Sequence, residues 1–470
     1  MSAVTSDLAQ ASIGYRWSSY LDAPLAIEGA RSSLLLAVLA GVGFDVGLRS
    51  GVAGVGGALA VLVVSVGLLS SGRIRSAQSR VLIAAAPLFG TWLAIRSTPW
   101  LLPFDVVASA ALLLLGVSLS SGGSVLDLSI PQAVARAAQS AVQALLVPAF
   151  LIQGVQTKAR GRRLVRAIAI AVPLMVVLTA LFASADAVFA RAIHTDVTGA
   201  VGNAFLIALG TIGAGWLLRI ASLRHTSLPE VSAPTLAPVE WTIVLAGLDL
   251  VLAGFAAAQL VALSSGGKHL LETSGFTYAQ YARSGFFQLL AAIMITGLSL
   301  IALHASAGEG RTRRRFRALA FAAITLTFVV VVSAFHRLAV YEHAYGMTML
   351  RLYVHIAIVG AGLLLAILAI RIGGLAPRRA WFAPVAGIVV LATLLGINVA
   401  NPEAFVARYN LSHPSAHFDP SYLNNLSADA APALVRTKAI CKLAGGRGRG
   451  WAAFNVSRDR AQSLRKEYCP

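Results

Sequence analysis

Long apolar runs alternate with short clusters of Lys and Arg along this chain, and that alternation leaves few folds open. The runs cover 25–46, 51–71, 81–97, 101–121, 165–186, 198–220, 239–263, 285–304, 318–339, 350–371 and 381–400. Crossing about 30 Å of hydrocarbon takes roughly 20 helical residues, so each run reads as a spanning helix. None shows the period-2 alternation of a barrel strand, and lipid offers no partner to an open backbone. The sequence therefore predicts an all-α class: a polytopic transmembrane helical bundle of about eleven spans. Composition agrees, because 57% hydrophobic against 12% charged residues over 470 positions cannot give soluble domains a polar coat.

A formal charge of +19 raises the possibility of nucleic acid, so the placement of the bases decides. They cluster between the runs: Arg73, Arg75 and Arg80; Lys158, Arg160, Arg162, Arg163 and Arg166; Arg219 and Arg224; Arg311, Arg313, Arg314, Arg315 and Arg317; Arg371, Arg378 and Arg379. Short basic loops stay on the cytoplasmic side, which excludes nucleic acid as partner in favour of the lipid bilayer of a cell (inner or plasma) membrane. With all five clusters inside, residues 1–24 are a cytoplasmic segment and no cleaved signal peptide is expected. Residues 25–400 are the transmembrane domain, and the chain ends outside. The stretch 132–156, with Arg136, Gln139 and Gln143 among apolar residues, reads as an interfacial helix, since a twelfth span would place five bases outside.

The tail 401–470 loses the apolar runs and carries ten Lys/Arg against five Asp/Glu, a net +5. It reads as an extracytoplasmic appendage. Cys441 and Cys469 either form one disulfide there or remain thiols on a marginally ordered tail. Ser427 and Ser457 read as N-caps of short helices. The Asn-x-Ser triplets at Asn410, Asn425 and Asn455 are of the kind that arises by chance.

No nucleotide loop, HExxH, GxSxG or Cys/His cluster is present, so neither cofactor nor metal is expected. Glycines at 51, 54, 56 and 57 and at 210, 213 and 215 read as close-packing positions between helices. Functional interest falls on polar residues that an apolar helix disfavours. Asp249 sits near the middle of a span, where an acid costs about 2.5–3.5 kcal/mol. It reads either as a proton or cation coupling site or as an acid bonded to a neighbouring helix. His355 reads as a hydrogen-bonded packing residue. A second group gathers at the predicted outer ends: Asp186, then Tyr281 and Arg283, then Arg337, Glu342, Tyr345 and Arg351. In that last stretch Arg337, Tyr341 and Tyr345 follow i, i+4 spacing, with Glu342 able to pair with either arginine. Arginine forks and tyrosine walls suit an anionic lipid or small anionic solute; the alternative is interface anchors plus one ion pair.

Several of these strings also carry a resemblance. Ala185 to Phe189, Thr277 to Leu289, Arg337 to Tyr353, and Asn401-Pro402-Glu403-Ala404-Phe405-Val406-Ala407-Arg408-Tyr409-Asn410, followed by Tyr422-Leu423 and Leu426-Ser427-Ala428-Asp429-Ala430, resemble the bacterial integral-membrane family called domain of unknown function 4173, near its relative 4153. The likeness covers roughly Val81 to Leu434. It implies a multi-pass membrane protein and supplies no substrate.

Three functions compete on these grounds. The leading one is a non-enzymatic, permease-like or ligand-binding protein using the outer cluster, with Asp249 coupling an ion. A membrane enzyme acting on a lipid-linked or envelope substrate would need Asp186 or Glu342 as general base beside an arginine. A scaffold or sensor would work through protein partners.

Overall fold

The computed structural model describes residues 30–48, 53–153, 197–223, 236–264, 286–304, 310–375, 381–413, 418–443 and 450–469, with 171, 175, 178, 182, 306, 307 and 415. The expected N-terminal segment 1–24, most of the run 165–186, the bases from Lys158 to Arg166, Arg224, and Asp186, Tyr281 and Arg283 lie outside the described residues. Every regular element among the described residues is helical. Seven helices are long and apolar enough to cross a membrane: Ala77–Ile95, Gly202–Ser222, Pro238–Gln259, Phe287–His304, Gly310–Tyr345, Met349–Gly373 and Phe382–Ala400. The runs at 25–46, 51–71 and 101–121 are apolar helices too, but shorter.

The chain divides into two compact units, Met1–Val125 with Ile130–Val231 and Gly445–Ser463, and Leu126–Ser129 with Ser232–Ala444 and Leu464–Pro470. In the first, α1 (Ala30–Leu48), α2 (Val55–Ser70), α3 (Ala77–Ile95) and α4 (Leu102–Ser118) are followed by α5 (Ile130–Leu145), α6 (Val147–Gln153) and α7 (Val197–Ser222). Small residues set the spacing. A Cβ on Gly210 of α7 would lie 2.9 Å from the Cα of Gly41 on α1, and Gly56 of α2 meets the backbone of Gly47. Close backbone approach is what holds helices together where lipid removes any hydrophobic gain. Gly213, by contrast, faces open space.

The stretch 132–156 is not one helix but α5 and α6, broken at Leu146. The polarity of α5 is inverted relative to a soluble helix. Arg136 donates to Ser118 O at 2.6 Å and Gly122 O at 2.8 Å, while Ser140 and Gln143 are buried. Val134 and Leu145 on the opposite face are 63% and 81% exposed. An apolar outside over a polar inside is stable where the surroundings are hydrocarbon.

The C-terminal return is docked in this unit as well. Phe454 O accepts the Val55 N–H at 2.8 Å, and Asn455, 2% exposed, donates to Leu93 O at 3.2 Å and Arg96 O at 2.8 Å. The triplet asparagines 410 and 455 are thus buried hydrogen-bonding residues. In the second unit Cys441 and Cys469 form a disulfide, and Arg465 donates to Cys441 O at 3.0 Å. That resolves the tail in favour of the bonded alternative.

The second unit contains α8 (Pro238–Ser264), α9 (Phe286–His304), α10 (Gly310–Tyr345), α11 (Met349–Gly373), α12 (Phe382–Ala400) and α13 (Pro402–Ser412), then short turns and α14 (Ala431–Leu434). α8 packs along α10 through a stripe of Trp241, Leu245, Leu252 and Ala256, all buried. Trp241 meets Phe316 edge-on at 5.3 Å, and Gln259 bonds Ser333, so the two helices run parallel. On the other side of α8, Leu250 and Val251 are 74% and 71% exposed.

α10 runs well past both ends of the apolar run at 318–339. No breaker interrupts it before Gly346, so it takes up the bases from Arg311 and the segment through Tyr345 that lies between the apolar runs 318–339 and 350–371. Arg317 Nε donates to Ile372 O at 3.0 Å, and Arg371 lies 5.3 Å from the Phe382 ring, which puts the basic groups of α10 and α11 at one end of this unit.

Candidate functional site

The α10–α11 corner lies at the opposite end. α10 stops at Gly346, whose φ of 74° is open to glycine without strain and whose N–H bonds Glu342 O at 2.7 Å. Thr348 then caps α11 by accepting the Arg351 N–H at 3.3 Å. The corner is clasped by α13 and the turn after it. Asn410 accepts the Met347 N–H at 2.7 Å and donates to Met347 O at 2.8 Å, as a paired strand would. The Tyr422 hydroxyl accepts the Met349 N–H at 2.8 Å.

The string beginning Asn401-Pro402-Glu403 explains why α13 is in place to do this. Asn401 adopts φ 54° and caps α13 through Ala404 N at 3.2 Å, while its amide donates to Asp429 O at 2.9 Å. Glu403, 2% exposed, accepts the Ser427 N–H at 2.6 Å. Ser427 itself accepts the Asp429 N–H at 3.3 Å, so it caps a short turn as the sequence suggested.

The charged residues of the corner are satisfied internally. Arg351 donates Nη1 to Tyr345 O at 3.1 Å and to Gly346 O, and its guanidinium lies 4.2 Å from the Tyr341 ring centroid. The Tyr341 and Tyr345 rings meet at 5.0 Å between centroids, tilted by 48°, as neighbours four positions apart on one helix face. Glu342, 8% exposed, does not pair with either arginine. It faces His355 Nε2 at 3.7 Å and accepts a hydrogen bond from Tyr409, which pushes the Tyr409 phenol up to about 12. His355 Nδ1 lies 3.1 Å from Arg351 O and the ring meets Phe335 edge-on at 4.9 Å. The reason for the exchange of partners is steric: a guanidinium that caps the carbonyls of Tyr345 and Gly346 and lies over the Tyr341 ring is not free to turn to Glu342.

Arg337 is directed elsewhere, to Gln259 of α8. Nη2 meets Gln259 Oε1 at 3.3 Å, and the same oxygen accepts from Ser333 at 2.8 Å. Asp249 lies ten positions before Gln259, about 15 Å along the helix. Both of its carboxylate oxygens are buried without a hydrogen-bond partner. The structure thus unites Glu342, Tyr345 and Arg351, moves Arg337 to the α8–α10 seam, and leaves Asp249 in that seam on its own. It adds Asn410, Tyr409, Tyr422 and His355 to the corner. The first three lie in or just after the motif strings, but nothing local in them names Met347, Met349 or Glu342 as partners. Among the described residues no group of three or more His, Cys, Asp or Glu is placed to hold a metal.

Helices this long and apolar, with large aliphatic side chains outward and polar ones turned in, define a polytopic helical membrane protein. The family described as Domain of unknown function (DUF4153) matches residues 83–437, and the chain belongs to it. The match bears out the relative 4153 that the motif strings suggested, over nearly the stretch they delimit, and does not bear out the label 4173 itself. No curated protein and no solved structure matches.

Proposed function

We propose that this protein is a permease-like membrane protein of the plasma membrane, coupled to protons or another cation through Asp249. The observation that carries the reading is the buried, unpartnered carboxylate of Asp249 in the α8–α10 seam. Placing an acid there costs about 2.5–3.5 kcal/mol, and no hydrogen bond among the described residues returns it. A cation or proton does. Above it the same seam carries Gln259, Ser333 and Arg337, a polar continuation in an otherwise apolar packing surface.

In the orientation that the bases favour, the Arg311–Arg317 end faces the cytoplasm and the α10–α11 corner faces outward. The corner then closes the outer end of the seam, and its aromatic groups Tyr341, Tyr345 and Tyr409, together with Asp186, Tyr281 and Arg283 of the sequence, are the candidate contacts for an anionic solute or headgroup. The test is proton flux in proteoliposomes under an imposed pH gradient, read with an entrapped dye. The parent protein should dissipate the gradient faster than empty vesicles and Asp249→Asn should not. Equal flux from Asp249→Asn removes the coupling role, and no flux from the parent under an imposed proton, sodium or potassium gradient removes the reading.

A further inference from the structure

We propose that Arg219, in the first unit, is the centre of an oxyanion site that takes a phosphate or phosphodiester group. The site is independent of Asp249 and of the α10–α11 corner. The sequence groups Arg219 with Arg224 as a basic cluster at the end of the run 198–220; the structure puts Arg219 in the last turn of α7, 0% exposed. Its Nε donates to Gln143 Oε1 at 2.9 Å, and its guanidinium lies 5.9 Å from the Phe150 ring centroid. Nη1 and Nη2 have no hydrogen-bond partner. An amide oxygen and an aromatic face therefore surround this cation where a carboxylate would be expected.

The adjoining face of α5 is fixed against α7, because Trp216 donates to Ser140 O at 2.7 Å. On that face Gln139, one turn before Gln143, has its amide nitrogen buried without an acceptor, and so has Nε of Arg136. With the Arg136 guanidinium committed to Ser118 O and Gly122 O, the unsatisfied groups nearest this surface among the described residues are all donors: both Nη of Arg219 and the Gln139 amide. A water molecule would accept some of these bonds but leave the buried charge uncompensated. A tetrahedral oxyanion supplies the opposite charge and several acceptor oxygens, and the guanidinium fork matches two of them at once. Two sources offer this chemistry, free phosphate from solution and the headgroup of an anionic lipid.

The test uses the full-length protein in phosphatidylcholine nanodiscs and follows its melting temperature in two arms. One titrates inorganic phosphate against chloride at equal ionic strength; the other replaces part of the lipid with phosphatidylglycerol. A saturable rise in either arm is expected, and which arm gives it identifies the source. Arg219→Gln should weaken the response by about tenfold or more, as loss of a charge-assisted pair does. Gln143→Glu supplies an internal carboxylate to the same guanidinium, so this variant should melt higher without ligand and no longer respond. It keeps the test decisive if Arg219→Gln does not fold. Equal responses from the parent and from whichever of these variants folds, or no response in either arm, overturns the proposal.

Discussion

Gly346 is the residue on which the α10–α11 corner turns. Its φ of 74° is strained for any L side chain, and an added Cβ would lie 2.6 Å from the Phe418 ring and 2.8 Å from Asn410 Oδ1. Gly346→Ala should therefore destabilise the second unit by about 1–3 kcal/mol, measured as a lowered denaturation midpoint in detergent. Tyr409 gives a pH signature at the same place. Its phenol is held up to about 12 by the hydrogen bond to Glu342, above the ordinary 10.0, so the folded state retains the proton more firmly than the unfolded one. That contribution is complete below pH 10 and is lost as pH rises toward 12. Melting temperature followed across that interval should fall more steeply for the parent than for Tyr409→Phe; parallel curves would show that the bond is absent.

The helices themselves were mostly legible, because each depends on local composition. Ten of the eleven apolar runs coincide with helices among the described residues, and the eleventh, 165–186, lies mostly outside them. What composition could not give was which side of a helix is which. α8 shows how that is decided, since its buried stripe faces α10 while Leu250, 74% exposed, faces away. On a soluble surface Leu250→Lys would change stability by no more than about 0.5 kcal/mol. Facing lipid near the middle of a span, it should cost roughly 2.5–3.5 kcal/mol and reduce the folded yield in membranes several-fold. Fluorescence-detected size-exclusion of the solubilised variant measures this, and an unchanged yield would place α8 out of lipid. Glycine spacing was likewise only half legible: Gly56 and Gly210 meet backbone, whereas Gly213 does not, because a small residue permits close approach without requiring it.

At the scale of the whole molecule the open quantity is orientation. In the arrangement proposed above, Ser412, at the exposed end of α13, is outside, and Arg314, at the exposed start of α10, is inside. Single cysteines placed at these positions should react with a membrane-impermeant maleimide from opposite sides of intact cells, Ser412→Cys at once and Arg314→Cys after permeabilisation. The disulfide leaves Cys441 and Cys469 silent in this assay. The reverse labelling would invert the topology and put the corner on the cytoplasmic side. The sequence by itself determined that the chain is helical and membrane-embedded, where the helices run, and which polar residues are costly. Those are properties of local stretches, and roughly 20 apolar residues in a row have one low-energy arrangement in lipid. Only the tertiary structure decided the partners. It gave Glu342 to His355 and Tyr409, Asn410 to a backbone 63 positions away, and Arg219 to the interior of a helix pair. Hydrogen bonds and charges are satisfied by whatever packing brings within about 3 Å, and separation along the chain carries no information about that.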